Sequence, residues 1–301
     1  MNLAPFKFRN ALAEDGGPIS RIEEGHEVIF GRHQYCAMAY LREDLVSRGN
    51  QGVSVPVPDG AGSGNDLQTA RYRAISEAVE RWALRDCLQS PEARKDYGFD
   101  YDRCSNGMAA YPGLFNTPAR NAAMREAIER HCLIQWWEGN LGSHHIACPI
   151  QELKAIRIEN PFSKDVVVLL LQFRKESYFV YGFGIGPTED DACWRAAIEL
   201  HRTGAIVDKH YEDRDSISHA YIESHEHLYE RRSLFFSHPD GFELVLKRMR
   251  KNAPAHRPKP LKMLVDREIA GPWSQYATVW RIVLEQPSMD YLGPRSDVFF
   301  W

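Results

Sequence analysis

Residues 166–207, which read VVVLLLQFRKESYFVYGFGIGPTEDDACWRAAIELHRTGAIV, decide the fold of this chain. The unbroken apolar run at the start predicts a strand over 166–173 that is covered on both faces. A second strand is predicted at 178–181. The glycines of 182–187 predict a tight turn, and Thr188 begins a helix that continues to about residue 207. This order of elements is typical of an α/β protein.

Two further long helices are predicted upstream of this segment. The first covers residues 67–88, where an alanine stripe at i+4 spacing includes Ala70 and Ala74, and it follows a loop over 56–66. The second covers 118–137 and begins at Pro118, which the first turn of a helix tolerates. No low-complexity linker divides the chain, so we expect one domain over 1–301. Strands are predicted in the shorter apolar segments, which lie at 28–30, 35–41, 155–158, 261–265 and 278–284.

Composition excludes several classes of protein. The chain has 301 residues, of which 44% are hydrophobic and 26% charged, as in an ordinary globular protein. A net charge of −4 argues against nucleic acid or an anionic membrane as the main partner. The longest aliphatic run has six residues, far below the roughly 18 that cross a membrane. Six separate cysteines without a Cys-x-x-Cys pair indicate reduced thiols and a cytoplasmic location.

Charged residues recur on the three long helices. The pentads EAVER at 77–81 and EAIER at 126–130 each place two glutamates three residues apart with an arginine adjoining, and the third helix adds Arg195 and Glu199 on one face. Such pentads are commonly solvated faces with weak ion pairs. Here apolar residues flank the charges, which predicts burial. Carboxylates gathered in one cleft need a hard cation such as Mg²⁺, and arginines beside them suit phosphate oxygens.

The sequence around these charges resembles the YcaO family, and the matching blocks occur in the same order from about residue 16 to residue 205. The resemblance implies a single YcaO-like unit of the α+β type, in which mixed or antiparallel sheets are flanked by helices that form a nucleotide cleft. Residues 206–301 would be the C-terminal part of the same unit. The matching blocks are 17–23 (GPISRIE); Gly64 with Ala70, Ala74, Glu77, Glu80 and Arg81; 105–110 (SNGMAA); Glu126, Glu129 and Arg130 with Trp136 and Trp137; and Gly182 and Gly184 with Ala192, Arg195, Ala196 and Glu199.

Family resemblance also implies a function. YcaO proteins bind ATP and Mg²⁺ without a P-loop, and this chain has no P-loop motif. They phosphorylate peptide backbone amides and form azolines (the precursors of thiazoles and oxazoles), thioamides or amidines. The implied activity is that of a cyclodehydratase acting on Cys, Ser or Thr of a ribosomally made precursor peptide. By resemblance, the metal ligands are Glu77, Glu80, Glu126 and Glu129. The nucleotide site is completed by Arg81, Arg130, Arg195 and Glu199, and the catalytic residues are Glu129, Arg130 and Arg195.

Three departures from the family pattern leave an alternative open. Arg73 stands where a serine is usual, and Pro118 stands where a further metal-binding glutamate is usual. The chain ends in DVFFW at 297–301, whereas many ring-forming members have a proline-rich tail. The alternative function is a non-catalytic YcaO-like subunit that binds a peptide or protein partner.

Partners and further metal sites are also predicted from the sequence. The family-like body occupies nearly the whole chain, so a leader-recognition protein or a dehydrogenase would be a separate polypeptide; a homodimer stays open. The histidine motifs at 144–145 (HH) and 225–227 (HEH) lack i, i+4 spacing and a third ligand in view, and therefore do not favour a transition-metal site.

Overall fold

The computed structural model describes residues 3–46, 58–175, 177–212, 214–250 and 260–299. The chain divides into two compact units, of which unit 1 comprises Met1–Ala127 and Lys262–Glu285, and unit 2 comprises Ile128–Leu261 and Gln286–Trp301. The single domain expected over 1–301 stays a prediction. None of the described helices combines the length and the apolarity that crossing a membrane requires.

Unit 1 contains two antiparallel three-stranded sheets. The first has the order β1-β2-β3, and helix α2 packs on it. The second has the order β4-β10-β9. The elements of this unit are α1 (Ala4–Lys7), β1 (Ile19–Ile29), β2 (Arg32–Leu41), β3 (Gly60–Gly64), α2 (Leu67–Gln89), α3 (Pro91–Asp96), β4 (Met108–Tyr111), β9 (Met263–Ile269) and β10 (Thr278–Leu284). Helix α4 (Thr117–Trp137) begins in this unit and ends in unit 2.

Unit 2 contains one antiparallel four-stranded sheet in the order β5-β6-β7-β8, with helix α5 packed on its β7 and β8 strands. The strand over 166–173 is confirmed as β7, and its first six residues are buried, as their apolar run predicts. The elements are β5 (Ser143–Ile146), β6 (Lys154–Ile158), β7 (Val166–Arg174), β8 (Tyr178–Gly186), α5 (Glu189–His210), α6 (His219–Glu223), α7 (Leu228–Ser237) and α8 (Pro239–Met249).

The predicted fold class is confirmed, because antiparallel sheets are flanked by helices in an α+β arrangement. The three long helices begin and end within three residues of their predicted bounds. The tail at 297–301 lies partly outside the described residues. Within it, Phe299 is fully buried and stacks on Trp137, but the described part of the tail forms no strand.

Two glycine-rich segments differ from their predicted structure. The turn expected at 182–187 is wrong for Gly182 to Gly186, which complete β8, and Gly60 to Gly64 of the expected loop form β3. The reason is the close approach of a helix to each strand. A Cβ atom at Gly182 would lie 2.2 Å from the backbone nitrogen of Leu200, and one at Gly62 would lie 2.0 Å from the carbonyl oxygen of Ala70. These glycines therefore serve helix–sheet packing rather than a turn.

Candidate functional site

Three of the four predicted metal ligands lie around one arginine in unit 1. Glu77, Glu80 and Glu126 line a cleft of about 550 Å³ together with Arg81. The amide nitrogen of Ala61 on β3 donates to Glu77 Oε2 at 3.1 Å, and Arg81 Nη2 donates to Glu77 Oε1 at 3.4 Å. Arg81 Nη1 lies 3.8 Å from Glu80 Oε1. One guanidinium therefore contacts both carboxylates of the EAVER pentad.

Helix α2 fixes the direction of these side chains. Its N-cap is Asp66, whose side chain accepts a hydrogen bond from the amide nitrogen of Thr69 at 2.7 Å. Ala70 and Ala74 bury the face of the helix that packs on the glycines of β3. Glu77 and Glu80, three residues apart, therefore point together into the cleft.

Burial dominates the electrostatics of Glu80. The side chain is 12% exposed, and its desolvation raises the pKa of the carboxyl to about 7, against the pull of Arg81. The neighbouring charge of Glu77 raises this pKa further, and Arg281 lowers it. Desolvation lowers the pKa of Arg81, but the carboxylates of Glu80, Glu77 and Glu126 outweigh it, so the net shift is upward. The cleft thus holds more negative charge than Arg81 alone neutralises.

The remaining predicted site residues form a second group in unit 2. Glu129 on α4 is close enough to Arg130, Glu199 and Arg195 for their charges to act on it. Burial is the largest cause that raises the pKa of Glu129 to about 7; Arg130 lowers it, Glu199 raises it and Arg195 lowers it. The backbone amide of Ile185 on β8 has the smallest of these influences and also lowers this pKa.

Arg130 has unused hydrogen-bonding capacity. Its guanidinium carbon lies 4.6 Å from the ring centroid of Phe183, in a cation–π contact. Its Nε and Nη1 atoms are buried and have no hydrogen-bond partner among the described residues. Buried donors of this kind are costly unless a ligand satisfies them. On α5, Arg195 is exposed, and Glu199 lies 3.7 Å from Arg202 in an ion pair.

The departures at Arg73 and Pro118 have different structural consequences. Arg73 lines the same cleft as Glu77 and is exposed; its Nη1 donates to the carbonyl oxygen of Ser63 on β3 at 2.6 Å. A fixed cation therefore lies at the side of the carboxylate cleft. Pro118 is half-buried in the first turn of α4, where its missing N–H costs nothing.

The β3–α2 and β8–α5 segments share an internal similarity that the pentads on α2 and α4 do not reveal. Segments 60–77 (GAGSGNDLQTARYRAISE) and 182–199 (GFGIGPTEDDACWRAAIE) are identical at seven of 18 positions. The alternating glycines are the sequence feature from which this similarity could have been found. Glycines at this spacing are equally typical of turns. The shared residues are Gly60 and Gly182, Gly62 and Gly184, Gly64 and Gly186, Ala70 and Ala192, Arg73 and Arg195, Ala74 and Ala196, and Glu77 and Glu199.

Comparison with known proteins identifies the fold. No protein-family model matches the chain, and no curated protein matches it either. Among solved structures, it is similar to YcaO from Methanopyrus kandleri bound with AMPPCP and Mg²⁺, with 14% identity, a TM-score of 0.51 and coverage of 89% of this chain and 85% of that one. It is also similar to a chain of the E. coli microcin synthetase McbBCD complex with pro-MccB17 bound, with 12% identity, a TM-score of 0.53 and coverage of 88% and 87%. The chain therefore has a YcaO-like fold.

Proposed function

We propose that this chain is an ATP- and Mg²⁺-dependent enzyme that phosphorylates the oxygen of a peptide backbone amide. The specific reaction is azoline formation from Cys, Ser or Thr of a ribosomally made precursor peptide, or the related thioamidation. The observation that carries the proposal is the burial of one glutamate beside an arginine in each unit, Glu80 with Arg81 and Glu129 with Arg130. The likeness to a YcaO structure that holds AMPPCP and Mg²⁺ supports it.

The side chains present fit a divalent cation and a polyphosphate. Glu77, Glu80 and Glu126 line one cleft, and Mg²⁺ takes carboxylate oxygens as ligands. Arg130 offers two buried donors without a partner among the described residues, which suit phosphate oxygens. As the resemblance to the YcaO family implies, we assign Glu77, Glu80, Glu126 and Glu129 to Mg²⁺. The nucleotide is assigned to Arg81, Arg130, Arg195 and Glu199.

In the proposed reaction the protein supplies alignment and charge. When bound, ATP supplies the phosphoryl group and Mg²⁺ neutralises charge on its oxygens. The substrate's thiol or hydroxyl loses its proton and adds to the preceding amide carbon. The amide oxygen takes the γ-phosphoryl group of ATP, and ADP is released. This oxygen later leaves with the phosphoryl group as inorganic phosphate, while the amide nitrogen loses its proton and forms the C=N bond. Arg130 and Arg195 stabilise the charge of the transferred group, and Glu129 holds the cation. No nucleophile of the protein takes part.

Nucleotide binding is the first test. Calorimetry with ATP and Mg²⁺ is expected to show binding by the wild type and at least a tenfold weaker affinity for Glu129→Gln, because about 1.4 kcal/mol or more is lost with a charged ligand. Glu138→Gln, at an exposed position just after α4, is the matched control and is expected to bind normally. Circular dichroism checks that each variant is folded. With a peptide substrate supplied, Glu129→Gln is expected to abolish ATP turnover.

Two outcomes would contradict the assignment. A folded wild type that binds no ATP at millimolar concentration would refute the enzyme and favour the non-catalytic subunit, for which the cation of Arg73 in the carboxylate cleft is the specific observation. Unchanged binding by Glu129→Gln would remove that residue from the site.

The substrate and partners belong to the same proposal. One of the similar structures, the microcin synthetase complex, has pro-MccB17 bound, which supports a precursor peptide as the substrate class. We further propose a separate leader-recognition or dehydrogenase partner and a cytoplasmic location. Mass spectrometry of a candidate peptide would detect azoline formation as the loss of one water per ring.

A further inference from the structure

Three potential metal ligands meet at the C-terminal end of α5, apart from the carboxylate groups described above. His210 is the last residue of α5, His225 follows α6, and Glu230 lies on α7. One ligand atom from each of them lies within 4.8 Å of the others. The sequence motif at 225–227 gives no sign of this cluster, because its other members come from 15 residues upstream and five residues downstream of His225.

The cluster is buried around a carboxylate. Glu230 is 2% exposed and His210 is 6% exposed. His210 Nε2 lies 2.9 Å from Glu230 Oε1, while its Nδ1 lies 2.9 Å from the hydroxyl of Tyr221. A carboxylate oxygen and an imidazole nitrogen therefore face each other where solvent hardly reaches. His225 is half-buried and so gives the cluster a side that solvent ions reach.

Tyr221 orients both imidazole rings. His225 Nδ1 lies 2.8 Å from the backbone carbonyl oxygen of Tyr221. A carbonyl only accepts hydrogen bonds, so Nδ1 of His225 carries the hydrogen and Nε2 keeps its lone pair. The Tyr221 hydroxyl is able to accept from Nδ1 of His210 in the same way, which leaves Nε2 of that ring facing Glu230. Partners of this kind on the remote nitrogen are typical of histidines that bind a metal ion.

We propose that His210, His225 and Glu230 form a zinc site with one coordination position open to water. Two imidazole nitrogens and one carboxylate are a ligand set that Zn²⁺ uses, whereas Mg²⁺ and Ca²⁺ prefer oxygen ligands alone. Bonds of about 2.0–2.2 Å in a tetrahedral arrangement place ligand atoms about 3.3 Å apart. The ligand atoms lie within 4.8 Å of one another, so they reach this spacing when His210 separates slightly from Glu230 and the longer distances shorten by up to about 1.5 Å.

A zinc ion in this position ties the end of α5 to the segment that follows α6 and to α7. Helix α5 carries Arg195 and Glu199, so the ion stabilises the helix on which part of the proposed nucleotide site lies. The proposal does not depend on nucleotide binding, since none of its three ligands belongs to that site.

Zinc binding by the full chain tests the proposal. After treatment with a chelator, the protein is dialysed against Zn²⁺ with excess Mg²⁺ to occupy carboxylate sites, and bound zinc is measured by elemental mass spectrometry. We expect one zinc per chain, a rise of a few degrees in Tm, and, with Co²⁺ instead, visible absorption bands of a four- or five-coordinate ion. His225→Ala and Glu230→Gln are expected to lose all three signals.

The control comes from the other histidine cluster in the described part of unit 2. His219, His238 and Asp240 also gather there, but His219 and Asp240 are exposed, and His219→Ala is expected to keep zinc binding unchanged. His225→Ala removes a half-buried side chain and is the variant on which the test depends if Glu230→Gln fails to fold. Equal zinc content in the wild type and in folded His225→Ala would overturn the proposal and leave His210 and Glu230 as a hydrogen-bonded pair without a metal ion.

Discussion

The β3–α2 segment of unit 1 and the β8–α5 segment of unit 2 have the same construction but different charges. Each has an edge strand with alternating glycines, followed by a helix with a side-chain N-cap and an arginine and a glutamate at equivalent positions. Beyond the shared glutamate they diverge: α2 continues with Glu80 and Arg81, and α5 has Arg202 and Thr203 at the equivalent positions. The two segments therefore pack their strand and helix in the same way, but their helices carry different charged side chains.

In both segments, a backbone amide of the edge strand acts on the carboxylate of a glutamate. On β3, the amide of Ala61 donates to Glu77, which belongs to the helix that follows directly. On β8, the amide of Ile185 lowers the pKa of Glu129, which comes from α4 instead. An edge strand has backbone donors that its sheet does not use, and in each unit one edge-strand amide acts on a glutamate. An edge-strand amide therefore acts on a glutamate of α2 in unit 1 and on a glutamate of α4 in unit 2.

The glycines should give the largest effect. Gly62→Ala and Gly182→Ala are each expected to destabilise the protein by about 3 kcal/mol or more, because the added Cβ would lie 2.0 and 2.2 Å from backbone atoms of the adjoining helix. Urea unfolding measures the change. Gly25→Ala is the control, since a Cβ on this strand glycine meets nothing within 4 Å. A small effect at only one of the two sites would show that the two segments do not share their packing.

The same glycines explain which part of the fold was predictable. Long helices follow from local signals, namely caps and alanine stripes, and the apolar strand at 166–173 follows from its composition. Alternating glycines are ambiguous, because a turn and a strand under a close helix both require residues without side chains. Only the position of the helix decides between them.

The candidate site, like the fold, was predictable from the sequence only in part. The sequence indicates the glutamates and arginines of the three helices, and the structure gathers them into one group in each unit. It does not indicate that Arg73 and Arg195 are equivalent, because the family pattern marks Arg73 as a departure. The sequence also does not indicate the cluster around His225. Its other members, His210 and Glu230, approach His225 only because their helices pack together.

Buried carboxyls should make the stability of the ligand-free protein depend on pH. Their folded-state pKa values of about 7 exceed the ordinary 4.5, so the folded state binds more protons between these values. Stability therefore falls as pH rises from about 4.5 to about 7, by at most about 1.4 kcal/mol per pH unit for each carboxyl. Glu80→Gln and Glu129→Gln are each expected to remove part of this slope, as measured by urea unfolding at several pH values.

Exposed carboxyls on or next to the same helices provide the controls. Asp86→Asn on α2 and Glu138→Gln after α4 are expected to keep the slope of the wild type, because both side chains are exposed. If only one of the two glutamine variants flattens the slope, the two units differ in how they bury their glutamate. If neither does, both carboxyls are charged in the ligand-free protein, and burial does not control them.

The smallest effect is expected from substitution of the equivalent arginines, Arg73 and Arg195. The two substitutions should change ATP binding in opposite directions. Arg73→Ser removes a cation from a cleft proposed to bind Mg²⁺, so the Mg²⁺ concentration required for ATP binding should fall about two- to fivefold, as for an exposed charge pair. Arg195→Ser removes a proposed phosphate contact and should weaken ATP binding instead. Calorimetry at a series of Mg²⁺ concentrations distinguishes the two. Weaker binding in both variants would mean that Arg73 also contacts the nucleotide, and that both copies of the strand–helix segment serve phosphate.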